Sequence, residues 1–364
     1  MKIAVIGDGI VGATVGFYLS KEKKHTITMF DYGIGQATKA SAGIIAPWLS
    51  KRRSKVWYHL ARDGASVINE LATETGMTTD VYDQSGVIYL RKNDSDLQNL
   101  NQLGIERRKE APLMGELNKL SSQSIQNLFP GFKIMDQGLY VSGGAKIDGA
   151  KFVEFLNKKS TFNDFIKEPV KLTLSSNRAV MVNNQRFDCI VLAVGAWLPD
   201  ILKELGYKVK VRPQKGQLIE VKMNPKLDQH LPVLMPEGER DFIPQNNGGL
   251  IIGATHENDG GFDLKVSDQV KSDLLASGQR IITSLTNADI VNYRVGTRAY
   301  TNDFLPFFGS LTDGSNLLVA SGLGSSGLTT GPLIGKLLSE IIEHKSVNLS
   351  YYTHSVSDYI SLDD

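Results

Sequence analysis

The chain is short of several things that would each point to a particular kind of protein. It has one cysteine, Cys189, so no intramolecular disulfide can form, and a single thiol fits a reducing compartment. It has no uncharged apolar run near the ~20 residues that a membrane-spanning helix needs. It has no surplus of either charge, since 40 basic against 39 acidic residues leave a formal net charge of +1. That balance gives no electrostatic reason to bind nucleic acid or an anionic membrane. Six histidines are scattered without ligand spacing, so no metal site is expected. Repeats and low-complexity segments are lacking too. What remains is the composition of an ordinary globular protein, 364 residues long, with room for about two domains. A cytoplasmic location is expected, because Asp8 and its neighbouring glycines break the apolar N-terminus and spoil it as a signal peptide.

The first thirty residues are the most legible. "KIAVIG" has the near-continuous apolar character of a buried parallel strand. Gly7, Gly9 and Gly12 follow as G-x-G-x-x-G. A helix then opens, with Val11, Val15, Tyr18 and Leu19 at i, i+4, i+7 and i+8, and "HTITMFD" reads as a second strand ending on Asp31. Gly7 permits a tight turn, Gly9 lets the backbone approach a pyrophosphate, and Gly12 lets helix and strand pack closely. The helix N-terminus meets negative charge with free N–H groups and its dipole. Asp31, 19 residues after Gly12, is placed to accept from a ribose hydroxyl. An acid there disfavours the 2′-phosphate of NADP and leaves NAD and FAD both open.

Further along, Val56, Leu60, Val67 and Leu71 suggest a long amphipathic helix after "SAGIIAPW". The basic run "KRRSK", 51–55, reads as the solvated start of that helix or, alternatively, as a docking patch for a redox partner. "GVIYL" is a strand, and the polar stretch to about Gln126 reads as helices and loops. "KIDGAKFVEFL" predicts a helix capped by Asp148, with Phe152, Phe155 and Leu156 on its buried face. From Val170 on, short strands and turns alternate, which predicts a mostly antiparallel sheet in the second half. Cys189 falls in one of these strands, "FDCIVLAVG", and reads as an inert small hydrophobe rather than a nucleophile.

Late in the chain, "NLLVASG" predicts a strand, and "SGLGSSGLTTGP" leads into a helix carrying Leu333, Ile334, Leu337, Leu338, Ile341 and Ile342. This is a second strand–glycine–helix element. Its glycines could serve only a tight helix–strand contact. A flavin gives them another use, because its N1–C2=O edge gains negative charge on reduction and a helix N-terminus stabilises that charge.

Several segments together, in order, resemble the FAD-dependent amine oxidoreductases of the D-amino acid oxidase family, which includes glycine oxidase, sarcosine oxidase and bacterial D-amino acid dehydrogenase. They are "IGDGIVGA", "GIGQATKASAGIIAP", "VLAVGAWLPDIL", "VRPQKGQLIEV", "FIPQNNGGLIIGATHE", "VGTRAYTNDFLPFFG" and "LLVASGLGSSGLTTGPLIGKLL". The resemblance implies an α/β fold: a Rossmann-like FAD domain from 1–82, 142–213 and 296–364, and an inserted α+β substrate domain, mostly antiparallel sheet, from 83–141 and 214–295. It implies non-covalent FAD held by Gly7, Gly9, Ile10, Val11 and Gly12, and by Asp31 and Tyr32. The serine-and-glycine loop adds Lys39, Ala40, Ser41, Ala42 and Gly43, and the middle piece adds Val170, Ala193, Gly195 and Trp197. The C-terminal loop adds Gly322, Gly324, Ser325, Ser326, Gly327, Leu328 and Thr329.

The family's carboxylate-binding arginine corresponds to Arg298, whose guanidinium fork suits two carboxylate oxygens. An ion pair with Asp303 or a backbone-capping role is the alternative. The implied reaction is hydride transfer from a D-amino acid or related secondary amine to flavin N5, giving an imine that hydrolyses to a 2-oxo acid. Oxygen or another acceptor then takes the electrons. Three departures stand out. Ala299 replaces the proline usual after the arginine, Phe242 stands where glycine-oxidase-like members carry a tyrosine, and Ser325 where they carry a second arginine. His256 after "GAT", Trp48 and Tyr300 are further candidates to face the substrate, each with a structural alternative. Glycine or sarcosine oxidation, an NAD-dependent dehydrogenase and a catalytically silent flavin subunit are the rival readings. The partners expected are a small amine and an electron acceptor, with a homo-oligomer left open.

Overall fold

The first strand of the sequence lands in the middle of a six-stranded sheet, and the cavity described below opens at that sheet's C-terminal edge. In the computed structural model, which describes residues 1–52, 54–176, 179–238, 240–312 and 314–363, strand Lys2–Ile6 lies parallel between Thr26–Phe30 and Cys189–Leu192. Asp164–Ile166 and Leu317–Ser321 extend the sheet on either side, both parallel, and Phe307–Ser310 closes one edge antiparallel. Burial on both faces explains the unbroken apolar runs, with Ile3, Val5, Ile190 and Val191 fully enclosed. Burial also pushes the Cys189 thiol up to about 12, so it is not a thiolate near neutral pH.

Helix Ile10–Lys21 packs against helix Gly327–Ile342 from the far end of the chain. The two approach closely because glycines line the contact. A Cβ on Gly331 would sit 2.5 Å from the Ile10 side chain, and one on Gly335 would sit 2.6 Å from that of Thr14. The contact sets the two helix N-termini side by side at the C-terminal edge of the sheet. Helix Lys55–Thr75, capped by Ser54, joins them through Leu60, Ile68 and Leu71. Arg53 of the basic run lies outside the described residues. Asp148 caps helix Gly149–Lys159 as expected, accepting from Ala150 and Lys151 N–H at 3.0 Å each, and Phe152 and Leu156 are buried while Phe155 is half-buried.

The second sheet has eight strands. Its order is Ile290–Tyr300, Arg212–Val221, Leu250–Gly253, Asp241–Pro244, Val233–Met235, Val87–Arg91, Gln137–Val141 and Leu117–Leu120. All neighbours are antiparallel except Val233–Met235 beside Val87–Arg91. Strand Leu117–Leu120 falls in a stretch read from sequence as helices and loops. It is a partly exposed edge strand with Asn118 and Lys119 facing solvent, so it lacks an apolar period. The longest pairing, Arg212–Val221 with Ile290–Tyr300, runs through the boundaries expected at 213/214 and 295/296 and lies wholly within the eight-stranded sheet. Helices Ser122–Leu128 and Asp268–Gln279 cover one face and enclose a second core around Ile88, Phe129, Phe242, Ile252 and Leu274. Among the described residues no helix is long and apolar enough to cross a membrane, and no cluster could hold a metal ion.

One charged group is built into the first turn. Asp8 is 3% exposed, and both its carboxylate oxygens accept from Asn157 Nδ2 at 2.9 Å. Burial pushes its pKa up to about 6 against the opposing pull of that bond. The folded protein therefore holds this proton more tightly than the unfolded chain does. The resulting stability is present below about pH 4 and is lost as pH rises through about 6, amounting to about 3 kcal/mol at most. Asp8→Asn should stabilise the flavin-free protein by about 2 kcal/mol at pH 7.5 and change little at pH 4, measured by urea unfolding. An equal gain at both pH values would contradict this.

Candidate active site

The two helix N-termini and the face of the eight-stranded sheet that Arg298 and Asp241 share enclose a cavity of about 780 Å³. On one side Gly7 turns the chain with a φ of 99°, and Gly9 leads into helix Ile10–Lys21 without a side-chain cap or an acid in the first turn. Thr38 Oγ1 accepts from Ile10 N–H at 3.0 Å. Asp31 borders the cavity at the end of its strand, accepting from Asp8 N–H at 3.1 Å and from Gln36 Nε2 at 2.7 Å. The serine-and-glycine loop then crosses strand Ile290–Tyr300, where Thr297 N–H donates to the Gly35 carbonyl at 3.0 Å.

On the other side, the turn after Leu317–Ser321 delivers Gly324, Ser325 and Ser326 to the cavity ahead of helix Gly327–Ile342, whose N-terminus is also uncapped. Trp57 Nε1 donates to Ser326 Oγ at 3.1 Å, and Ser325 N–H donates to the Tyr300 hydroxyl at 3.1 Å. These features fit a flavin dinucleotide. Two helix N-termini, neither capped by its own N-cap side chain, face one cavity, and Gly9 keeps the backbone bare where a phosphate would approach. Of the cofactor positions expected from sequence, Gly12, Lys39 and Gly322 do not line the cavity, and all the others do. Gly12 serves packing instead, since a Cβ there would lie 1.8 Å from the Gly7 carbonyl oxygen.

The roof is built by strand pairing. Arg298 lies opposite Gln214, and its Nη1 donates to Gln214 Oε1 at 3.0 Å and to the Thr255 carbonyl at 2.8 Å. The rest of the guanidinium lies against Gly216, where a Cβ would come within 2.7 Å of both Cζ and Nη2. Nη2 and Nε make no hydrogen bond to a described residue. Burial lowers the Arg298 pKa, while Tyr300 and Glu257 act to raise it, and an arginine stays charged throughout. The alternative partner Asp303 is occupied elsewhere, accepting from the Tyr359 hydroxyl at 2.7 Å and from Leu305 N–H at 3.1 Å.

Three expected site residues do not reach the cavity. Phe242 is 2% exposed and faces the second core against Ile252, because side chains on a strand alternate. The residue of that strand that borders the cavity is Asp241, a position the sequence reading passed over. Trp48 is 1% exposed and belongs to the main core. Tyr300 is buried too and holds the glycine loop through Ser325. His256 and Ser325 do border the cavity. So do Gly216, Tyr89 and Arg52, none of which the sequence marked as a site residue. Burial pushes Asp241 up to about 7 against the pull of Arg240.

The glycines separate packing from binding. A Cβ on Gly9 would meet only Thr38 Oγ1, at 3.4 Å. Gly9→Ala should therefore fold with a near-unchanged melting temperature and lose the dinucleotide, whereas Gly12→Ala should fold poorly with or without it. Flavin absorbance after gel filtration and a melting curve on each variant check this; a Gly9→Ala protein that retains full flavin would contradict it.

Comparison with known proteins agrees with this geometry. The family model of FAD-dependent oxidoreductases called DAO matches residues 2–341. An uncharacterized oxidoreductase of Bacillus subtilis, YurR, is 32% identical over 355 residues, covering 95% of each chain. Glycine oxidase of Pseudomonas putida is 23% identical over 359 residues, covering 94% of each. Among solved structures, iminodiacetate oxidase from Chelativorans sp. BNC1 superposes with a TM-score of 0.88 at 28% identity, over 96% of this chain and 98% of that one. A dinucleotide cradle at the N-terminus, a second strand–glycine–helix element at the C-terminus and a match along nearly the whole length lead to one assignment: this chain belongs to the DAO family of FAD-dependent oxidoreductases.

Proposed function

We propose that the enzyme oxidises the Cα–N bond of a D-amino acid or a related secondary amine, with the substrate carboxylate held by Arg298. The observation that carries this reading is the free edge of the Arg298 guanidinium, fixed by two acceptors on Nη1 and set flat on Gly216 at the cavity wall. A planar fork fixed in this way fits a carboxylate and sets its orientation. The likeness to iminodiacetate oxidase, whose named substrate is a secondary amine, supports the secondary-amine side of the reading.

FAD held between the Gly9 turn and the helix beginning at Gly327 would supply the two-electron acceptor for oxidation of the Cα–N bond, and the product imine would hydrolyse to a 2-oxo acid and ammonia or an amine. The residues of this chain do the rest. Arg298 binds and orients the substrate. Asp241 borders the same cavity and, with its pKa near neutrality, takes a proton from the substrate ammonium onto a carboxylate oxygen, leaving the nitrogen lone pair free. The eight-stranded sheet covers the site and limits water.

Arg298→Ala should raise KM roughly 10–150-fold, as expected for losing a charge-assisted pair, while leaving FAD bound. Steady-state kinetics and the flavin absorbance of the variant test it, and an unchanged KM would overturn the carboxylate role. The rate of anaerobic flavin reduction should rise with pH through about 7 as Asp241 ionises, Arg240 and Tyr89 being its charged and titratable neighbours. Asp241→Asn should flatten that rise, and a profile unaltered by the substitution would remove Asp241 from the mechanism.

A further inference from the structure

The cavity holds a second guanidinium. Arg52 belongs to the basic run read from sequence as solvated or as a docking patch, yet it turns inward and borders the same cavity as Arg298. Its Cζ lies 4.6 Å from the ring centroid of Trp57, which is itself fixed by its bond to Ser326. Nη1 reaches toward the Phe304 carbonyl at 3.5 Å. The backbone that presents Arg52 is held from both ends. Arg107, on helix Asp94–Arg108, donates to the carbonyls of Trp48 and, at 3.0 Å, Ser50, while Ser54 accepts from Trp57 N–H at 3.2 Å. Tyr300 lies close to both groups, as a side-chain hydrogen-bond partner of Arg52 and a near neighbour of Arg298, which puts the two guanidinium groups toward one end of the cavity.

The charges at that end do not balance within the protein. Arg298 has Glu257 nearby, although that carboxylate is already bound by Gln217 at 2.8 and 3.0 Å and by the Thr255 hydroxyl. Among the described residues no carboxylate pairs with Arg52. Half-buried, Arg52 has its pKa lowered by desolvation, against which its hydrogen-bond partner Tyr300 acts to raise it. A substrate with one carboxylate would leave one of these cations uncompensated, and desolvated charge without a partner is costly.

We propose that Arg52 is a second anion-binding residue of this site, and that the preferred substrate is an amine carrying two acidic groups, one on Arg298 and one on Arg52. This rests on the amine-oxidising reading above and narrows its substrate class. Arg52 would then determine specificity without taking part in bond breaking.

The test uses the FAD-loaded protein and two ligands that cannot be oxidised at an amine: oxydiacetate with two acid groups, and methoxyacetate with one. Calorimetric titration should show oxydiacetate binding about tenfold tighter or more. Arg52→Ala and Arg52→Gln should abolish that preference while changing methoxyacetate binding less than about twofold, and Arg52→Lys should restore part of it. Flavin content and melting temperature identify any variant that has misfolded. Equal binding of the two ligands by the unaltered protein, or equal loss of both in Arg52→Ala, would overturn the proposal. The two readings fail separately. Arg52-dependent oxydiacetate binding in a protein whose flavin no amine reduces would support the anion site and defeat amine oxidation. Flavin reduction by mono-acid amines as fast as by diacids, in the unaltered protein and in Arg52→Ala alike, would do the reverse.

Discussion

The contact between the Arg298 guanidinium and the bare backbone of Gly216 fixes the chemical end of this molecule. It exists because Arg212–Val221 and Ile290–Tyr300 pair over their whole length, which puts a glycine beside the arginine and Gln214 opposite it. A side chain at 216 would push the guanidinium off the strand, and a shift in register would turn it away from the cavity. The same strand also bonds through Thr297 to the loop carrying the cavity-lining residues Ala40 to Gly43. A single strand thus sets the distance between Arg298 and the loop that lines the opposite part of the cavity.

The opposite wall depends on a different constraint, the close approach of two helices from the two ends of the chain. Gly331 and Gly335 allow it, and the consequence is electrostatic. Two uncapped helix N-termini face one cavity, one suited to phosphates and the other to the flavin edge that gains charge on reduction. The positive end of this field is reinforced by Arg52 and Arg298, which both border the cavity.

The cofactor half of this arrangement was legible in the sequence because its signals are local. A strand, a glycine turn, a helix and an acid at the next strand's end occupy thirty consecutive residues, and the second strand–glycine–helix element is nearly as compact. Arg298 was legible only through its resemblance to a family segment. Gly216 sat in plain view in "VRPQKGQLIEV", but nothing in that string says what lies across the strand from it. Asp241 was missed by one residue: an aromatic beside "IP" looks like the pocket side chain until packing against Ile252 shows that Phe242 points the other way. Arg52 was hidden by its company. A run of four basic residues in five reads as solvent-facing, and only the built helix brings Trp57 under the guanidinium. The cavity-lining residues that escaped notice are those whose neighbours come from distant parts of the chain.

The most direct measurement is anaerobic reduction of the bound flavin by matched pairs of amines, each amino or imino acid set against its decarboxylated counterpart, and followed by loss of the visible flavin band. The account predicts that the acid of each pair bleaches the flavin and that the counterpart lacking the carboxylate does so far more slowly, by about a hundredfold. Equal rates within the pairs, or a flavin that no amine reduces, would contradict it.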